Sequence, residues 1–195
     1  TSPITFVTSA NAGLYCGATI DFGDIDPDTF NMSPERLAEK LKVAEQTGTL
    51  PKVIVPVHMG GQSANMREIA EVAQPYGVKI IEDASHAIGG AFNGLPVGSC
   101  MYSDITVFSF HPVKIVTTAE GGAAVTNDAA LAMRLQRLRT HGITRDPDLM
   151  EGASEGAWYY QQIELGMNYR MTDLQAALGV SQMKRLDEIV SKRNE

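Results

Sequence analysis

A chain of 195 residues, 44% hydrophobic and 20% charged, has the make-up of an ordinary soluble globule and can bury a sizeable core as one domain or most of one. Its net charge of -7 argues against general nucleic-acid binding, so any phosphate it holds must be gripped locally. No apolar run approaches the ~20 residues of a membrane helix and no charged-then-apolar leader precedes a cleavage site, so a cytoplasmic protein is expected. Cys16 and Cys100 lie outside any CxxC spacing and read as two small buried hydrophobes; no metal site is indicated.

In chain order, Ile4 to Thr8 reads as a short strand, Ala10 to Cys16 as a helix ended by Gly17, and Ala18 to Phe22 as the next strand. Asp24 to Asp28 is an acidic turn without the glycine and terminal glutamate of a calcium loop. Ser33-Pro34-Glu35-Arg36 starts a helix, with a serine cap, proline at the first position and acid in the first turn. Leu37, Leu41 and Ala44 fall on one face of it, and Gly48 lies beyond its end. Lys52 to Val57 is a buried strand leaving through a flexible loop at His58 to Gln62, where His58 reads as a satisfied loop histidine. Met66 to Tyr76 is a helix with Ile69, Val72 and Ala73 inward, and Val78 to Ile81 is another strand. The repeated strand-helix-strand spacing predicts a doubly wound α/β fold with a mostly parallel sheet.

Asn93-Gly94 marks a hairpin turn, and Ile105 to Phe108 is a buried strand. Ala123 to Thr126 predicts an antiparallel strand, and Ala129 to Thr140 a helix whose Arg134, Arg137 and Arg139 form a solvated face. Trp158-Tyr159-Tyr160 sits in a loop-rich stretch and reads as a hydrophobic plug, with stacking on a base or a subunit contact as alternatives. Thr172-Asp173 caps one long helix carrying Leu174, Ala177, Leu178, Met183 and Leu186. The chain begins without methionine and stops inside what reads as an unfinished helix, so it is expected to be cut from something longer.

Two stretches carry chemistry. From Ile105 to Ala119 the only formal charge is Lys114, directly after an apolar strand. Such a lysine must reach water, find a counter-ion or lose its charge, and a desolvated lysine is the usual nucleophile toward an aldehyde. Glu82-Asp83 ends the strand before, and in an open parallel sheet ligands bind outside the carboxyl ends of the strands. A lysine able to form an imine, a carboxylate able to sit on a ring nitrogen and a hydroxyl able to hold a phosphate describe a pyridoxal phosphate site, with Lys114, Asp83 and Ser109 in those roles. Each has an ordinary alternative as a loop or capping residue.

The segments EDASHAIGG, SDITVFSFHPVKIVTTAEGGAAVTND, HGITRDP and ELGMNYRMTDLQAALGVSQMKRLDEI resemble the DegT/DnrJ/EryC1/StrS family of sugar aminotransferases, and the similarity runs over essentially the whole chain. SPITFVTSANAGLYCGA and WYYQQIELGMNYR are most similar to members that aminate C4 of a UDP-linked 4-keto-6-deoxy sugar on the way to pseudaminic acid. The resemblance implies the large domain of an aspartate aminotransferase-like, fold type I enzyme, incomplete here, with residues 1–195 as its central part and the N-terminal segment and C-terminal small domain absent. It implies pyridoxal 5'-phosphate as cofactor, held by Lys114, Asp83, His86 near the ring hydroxyl, Ser109 on the phosphate and Phe6 against the ring. It further implies a homodimer in which Asn168 or Arg170 reaches the neighbouring subunit's phosphate. The substrates implied are a UDP-keto sugar and glutamate. A pyridoxal-dependent sugar dehydratase and a non-enzymatic fragment are the other readings, and Lys114 argues against the first, whose family variant carries histidine at that position.

Overall fold

The computed structural model describes all residues from Thr1 to Glu195. A first helix, α1 (Thr8–Tyr15), is followed by α2 (Pro34–Thr47), β1 (Val53–Ile54), α3 (Met66–Ala73) and β2 (Lys79–Asp83). Then come the short strands β3 (Ala91–Phe92) and β4 (Leu95–Pro96), the pair β5 (Ile105–Ser109) and β6 (Gly122–Val125), and α4 (Ala129–Leu138). The strands β7 (Ile143–Thr144) and β8 (Gln161–Gln162) and the helices α5 (Asp173–Met183) and α6 (Leu186–Arg193) complete the chain.

The central sheet has the order β1-β2-β5-β6. β1, β2 and β5 run parallel, with Val53 opposite Lys79 and Ile81 opposite Ile105, while β6 is antiparallel to β5. This is the mostly parallel α/β arrangement expected from the strand-helix spacing. Regular pairing of β1 is short because Pro56 has no N–H to donate to a ladder. Its carbonyl still accepts the Asp83 amide at 2.9 Å, and Val57 bridges to Asp83, so the β1 line continues to the rim in irregular form.

α2 begins as its sequence dictates: the Ser33 hydroxyl accepts the Arg36 amide, Pro34 opens the first turn, and Gly48 closes the helix in a left-handed conformation. Its buried Leu37 and Leu41 meet Met66 and Ile69 of α3 and Ile54 and Ile80 of the sheet in one apolar cluster. Pro75 converts the end of the third helix into a tighter turn over Gln74–Tyr76. Asn93 and Gly94 both take positive φ, 51° and 77°, which is the turn that a two-residue hairpin between β3 and β4 requires.

Several sequence expectations fail, each for a physical reason. Ile4 to Thr8 and Ala18 to Phe22 form no strands: the first has no neighbour to pair with, its Phe6 and Val7 are exposed, and α1 starts at Thr8. The second runs beside the N-terminus without strand pairing, where the Thr1 ammonium donates to the Asp21 carbonyl. The last long helix breaks at Lys184–Arg185 into α5 and α6, although Thr172 and Gln175 do form the capping box at its start. Arg134 and Arg137 both reach Glu164, at 3.1 and 2.8 Å, and so tie α4 to the later loop instead of forming a free basic face. Trp158 and Tyr160 are exposed, so this stretch is no plug, and the Arg145 guanidinium lies 5.9 Å from the Tyr160 ring. Of the cysteines, Cys100 is buried and Cys16 is exposed.

Candidate active site

β2 and β5 are neighbours, with Asp83 opposite Val107, so Asp83 and Ser109 emerge together at the carboxyl ends of adjacent parallel strands. Alternation along β2 sends Glu82 inward with Ile80 and turns Asp83 toward the rim. Both carboxylate oxygens of Asp83 are engaged. Oδ2 accepts from the Ser9 hydroxyl at 2.6 Å, and Oδ1 accepts from the Ser85 hydroxyl at 2.6 Å and the Ser85 amide at 3.1 Å. Oδ2, with a single donor, has a second lone pair, so the carboxylate keeps capacity for one more donor.

Lys114 stands in the loop that joins β5 to β6. That loop is closed at its base, where the Phe110 amide donates to Gly121 and the Phe110 carbonyl accepts from the Thr118 amide and the Thr117 hydroxyl. Of the chain's lysines, Lys114 alone is both partly withdrawn from solvent and without a carboxylate partner; Lys40, the other half-buried one, pairs with Asp21. Burial lowers the pKa of His86 below that of an ordinary histidine, the positive charge of Lys114 lowers it further, and the negative charge of Asp83 opposes both. Lys114 and Asp83 therefore both lie within electrostatic reach of one imidazole. The His86 Nδ1 is buried and has no hydrogen-bond partner. An orphaned ring nitrogen within electrostatic reach of an unpaired amine and of a carboxylate held by two hydroxyls fits a polar aromatic ligand with its own donors and acceptors.

Of the remaining residues expected here, the Ser109 hydroxyl accepts the His111 amide at 3.4 Å, leaving its own proton free to donate. Phe6 is exposed one turn before Ser9, and the Ser9 amide donates to its carbonyl. Asn168 and Arg170 are exposed as well and make no bond to Asp83, Lys114 or Ser109. Asn168 bridges to Thr140, and the following Met171 lies against Gly121, so the segment passes beside the loop that carries Lys114.

Sequence reasoning missed Ser9, whose partner is 74 residues away and for which no local signal exists. It also missed Ser85, although an aspartate followed two residues later by serine is the sequence mark of a side chain that bonds its own backbone turn. His58 is satisfied, as expected, but it is fully buried: its ring bonds Glu82 at 2.8 Å and accepts the Ala64 amide at 3.0 Å.

The family model of the DegT/DnrJ/EryC1/StrS aminotransferases matches residues 1–195. The chain belongs to this family. It is 41% identical over 195 residues to UDP-4-amino-4,6-dideoxy-N-acetyl-beta-L-altrosamine transaminase of Campylobacter jejuni, and 41% identical over the same length to the spore coat polysaccharide biosynthesis protein SpsC of Bacillus subtilis. In each case all of this chain aligns with 48% of the relative, so the chain spans about half the length of these family members. Among solved structures it superposes on Helicobacter pylori PseC, an aminotransferase involved in the biosynthesis of pseudoaminic acid, with a TM-score of 0.82 and 32% identity, over 95% of this chain and 45% of that one. A DegT/DnrJ/EryC1/StrS aminotransferase from Brucella abortus superposes with a TM-score of 0.84 and 32% identity, over 96% and 47% of the two chains. Aminotransferases of this family depend on pyridoxal phosphate and have fold type I, and structures of a Streptococcus pneumoniae relative include both PLP and PMP forms.

Proposed function

We propose that this chain is the central part of the cofactor-binding domain of a nucleotide-sugar aminotransferase, which moves an amino group from glutamate to C4 of a UDP-linked 4-keto-6-deoxy-N-acetyl-hexose. The observation that carries this reading is the joint placement of an unpaired, half-withdrawn amine, Lys114, and a hydroxyl-anchored carboxylate, Asp83, around the buried nitrogen of His86. The 41% identity to the Campylobacter jejuni transaminase supports this choice of substrate.

Bound at this rim, pyridoxal phosphate supplies an aldehyde for the amine and a ring that accepts the electron pair released from a substrate carbon. The residues divide the remaining work. Asp83 would hold a proton on the ring nitrogen, with Ser9 and Ser85 fixing its carboxylate. The Ser109 hydroxyl would donate to a phosphate oxygen, Phe6 would cover the ring, and His86 would offer Nδ1 to a polar substituent. Lys114 would hold the aldehyde carbon and, as a free amine, would serve as the base that moves a proton from the substrate carbon. Asn168 and Arg170 are exposed and uncommitted in their own subunit, which supports a dimer in which one of them reaches the partner's phosphate.

In the full-length protein, pyridoxal phosphate followed by borohydride is expected to leave the cofactor mass on the peptide containing Lys114. Glutamate and the UDP-linked keto sugar are expected to yield a 4-amino sugar. Cofactor mass on another lysine, or turnover by Lys114→Ala, would overturn the assignment.

A further inference from the structure

Directly behind Asp83 lies a charged group that the reaction does not touch. Glu82 shares the inward face of β2 with Ile80, a member of the apolar cluster, and it is 6% exposed. A carboxylate in that setting needs several donors. Three reach it, each from a different place: His58 Nε2 at 2.8 Å, the Thr106 hydroxyl at 3.0 Å, and the Ser103 hydroxyl. The Ala64 amide donates to His58 Nδ1, so the ring proton sits on Nε2 and the pair is a carboxylate with a neutral imidazole. Burial pushes the Glu82 carboxyl up, but the hydrogen bonds from His58, Ser103 and Thr106, together with the positive charge His58 carries when protonated, outweigh it and hold the group below the usual range.

The same histidine also grips the site through its backbone. Its amide donates to the Asp83 carbonyl at 3.0 Å, while the Asp83 amide donates to Pro56 at 2.9 Å. The turn that begins at His58 brings Gly61 against the His86 carbonyl, with room for no side chain. Asp83 and His86 thus both rest on the His58–Gly61 turn, and that turn is fixed to β2 through Glu82. Two apolar residues of similar volume would fill this space but leave the Ser103 and Thr106 hydroxyls and the Ala64 amide without their acceptors. What the hydrogen-bonded pair adds is direction, because three donors allow one orientation of the carboxylate and one position of the turn.

Resting on the function proposed above, we propose that Glu82 and His58 are positioning residues, whose pairing sets where Asp83 and His86 stand relative to the cofactor ring. The test uses the full-length protein with added pyridoxal phosphate, in wild-type form, as Glu82→Gln, and as the apolar double variant His58→Leu/Glu82→Leu. Three quantities are read: the thermal midpoint, the cofactor dissociation constant, and the pH midpoint of the visible band of the lysine-bound cofactor. Both variants are expected to weaken cofactor binding about tenfold, the low end of what outer partners of ligating groups contribute elsewhere. Both should also raise the pH midpoint by about one unit, because a looser Asp83 leaves the ring less electron-poor. The double variant also strips the acceptor from the Ser103 and Thr106 hydroxyls and the Ala64 amide, so its thermal midpoint is expected to fall as well.

Wild-type affinity and an unmoved pH midpoint in either folded variant overturn the inference, whatever the thermal midpoint does. Should neither variant fold, Ser103→Ala decides: removing one donor is expected to raise the pH midpoint by a smaller amount, and no movement overturns the inference. A wild-type protein that shows no visible band with the cofactor overturns the proposed function itself, and the inference with it.

Discussion

Gly61→Ala is expected to be one of the more damaging single-methyl changes near the rim, and its neighbour Gly60 supplies the control. Both glycines take positive φ, 61° at Gly60 and 94° at Gly61, so an alanine at either position pays about 1–2 kcal/mol for a left-handed backbone. They differ in surroundings. A Cβ on Gly60 meets nothing within 4 Å, whereas one on Gly61 falls 2.9 Å from the His86 carbonyl oxygen. That oxygen is backbone and cannot swing aside, so the turn itself must shift, at an overpacking cost of about 1–3 kcal/mol. Gly60→Ala should therefore lose about 1–2 kcal/mol, and Gly61→Ala a further 1–3 kcal/mol or so. Urea unfolding of the two variants and wild type, compared at equal m, measures the difference directly. Equal losses would refute the claim that the His58–Gly61 turn is pressed against His86.

The remaining predictions concern the core and its charges. Thr106→Val removes a fully buried donor to the ionised Glu82 and should cost about 1.5–3 kcal/mol by urea unfolding, the range for hydrogen bonds to charged groups. Leu41→Ala, at a 1% exposed position, should cost about 2–5 kcal/mol, while Val43→Ala on the outer face of the same helix should stay within about 0.5 kcal/mol. Stability should fall on acidification in two stages. His86 has a pKa below 6.5 in the folded state, so the unfolded chain takes up its proton first, and stability declines as pH drops below that value. Glu82 lies below its ordinary 4.5, so its contribution is complete above that pH and is lost as pH falls through the lower, folded value. Thermal midpoints between pH 8 and pH 3 test both, and a midpoint that rises on acidification would contradict the signs.

What the sequence made legible was local or periodic. The cap and proline at Ser33-Pro34, the turn at Asn93-Gly94, the cap at Thr172-Asp173, and the apolar faces of α2 and α3 each depend on residues a few positions apart. Asp83 and Lys114 stood out because charge at the end of an apolar strand needs a reason. The unseen parts are pairings across the chain. Ser9 holds Asp83 from 74 residues away, and His58 finds Glu82 across a 24-residue separation. The strands expected at Ile4 to Thr8 and Ala18 to Phe22 had suitable residues but no partner, since a strand is defined by its neighbour and not by its own composition. Phe6, Asn168 and Arg170 drew their expected roles from the family resemblance, and all three stand exposed.

The parallel pairings at the rim also bear on how the molecule assembles. Joining Val53 to Lys79, and Ile81 to Ile105, closes two long stretches of chain that helices and hairpins alone do not bring together, and such closures are slow compared with local structure. Asp83 has its serine and β1-side hydrogen bonds with the first closure, whereas Ser109 and Lys114 come beside it only with the second. A nascent chain interrupted before Ile105 would hold its first helices, the hairpin and Asp83 with its serine partners but neither Ser109 nor Lys114, so the ability to take up a cofactor should arrive late in synthesis, after much of the polypeptide is already folded.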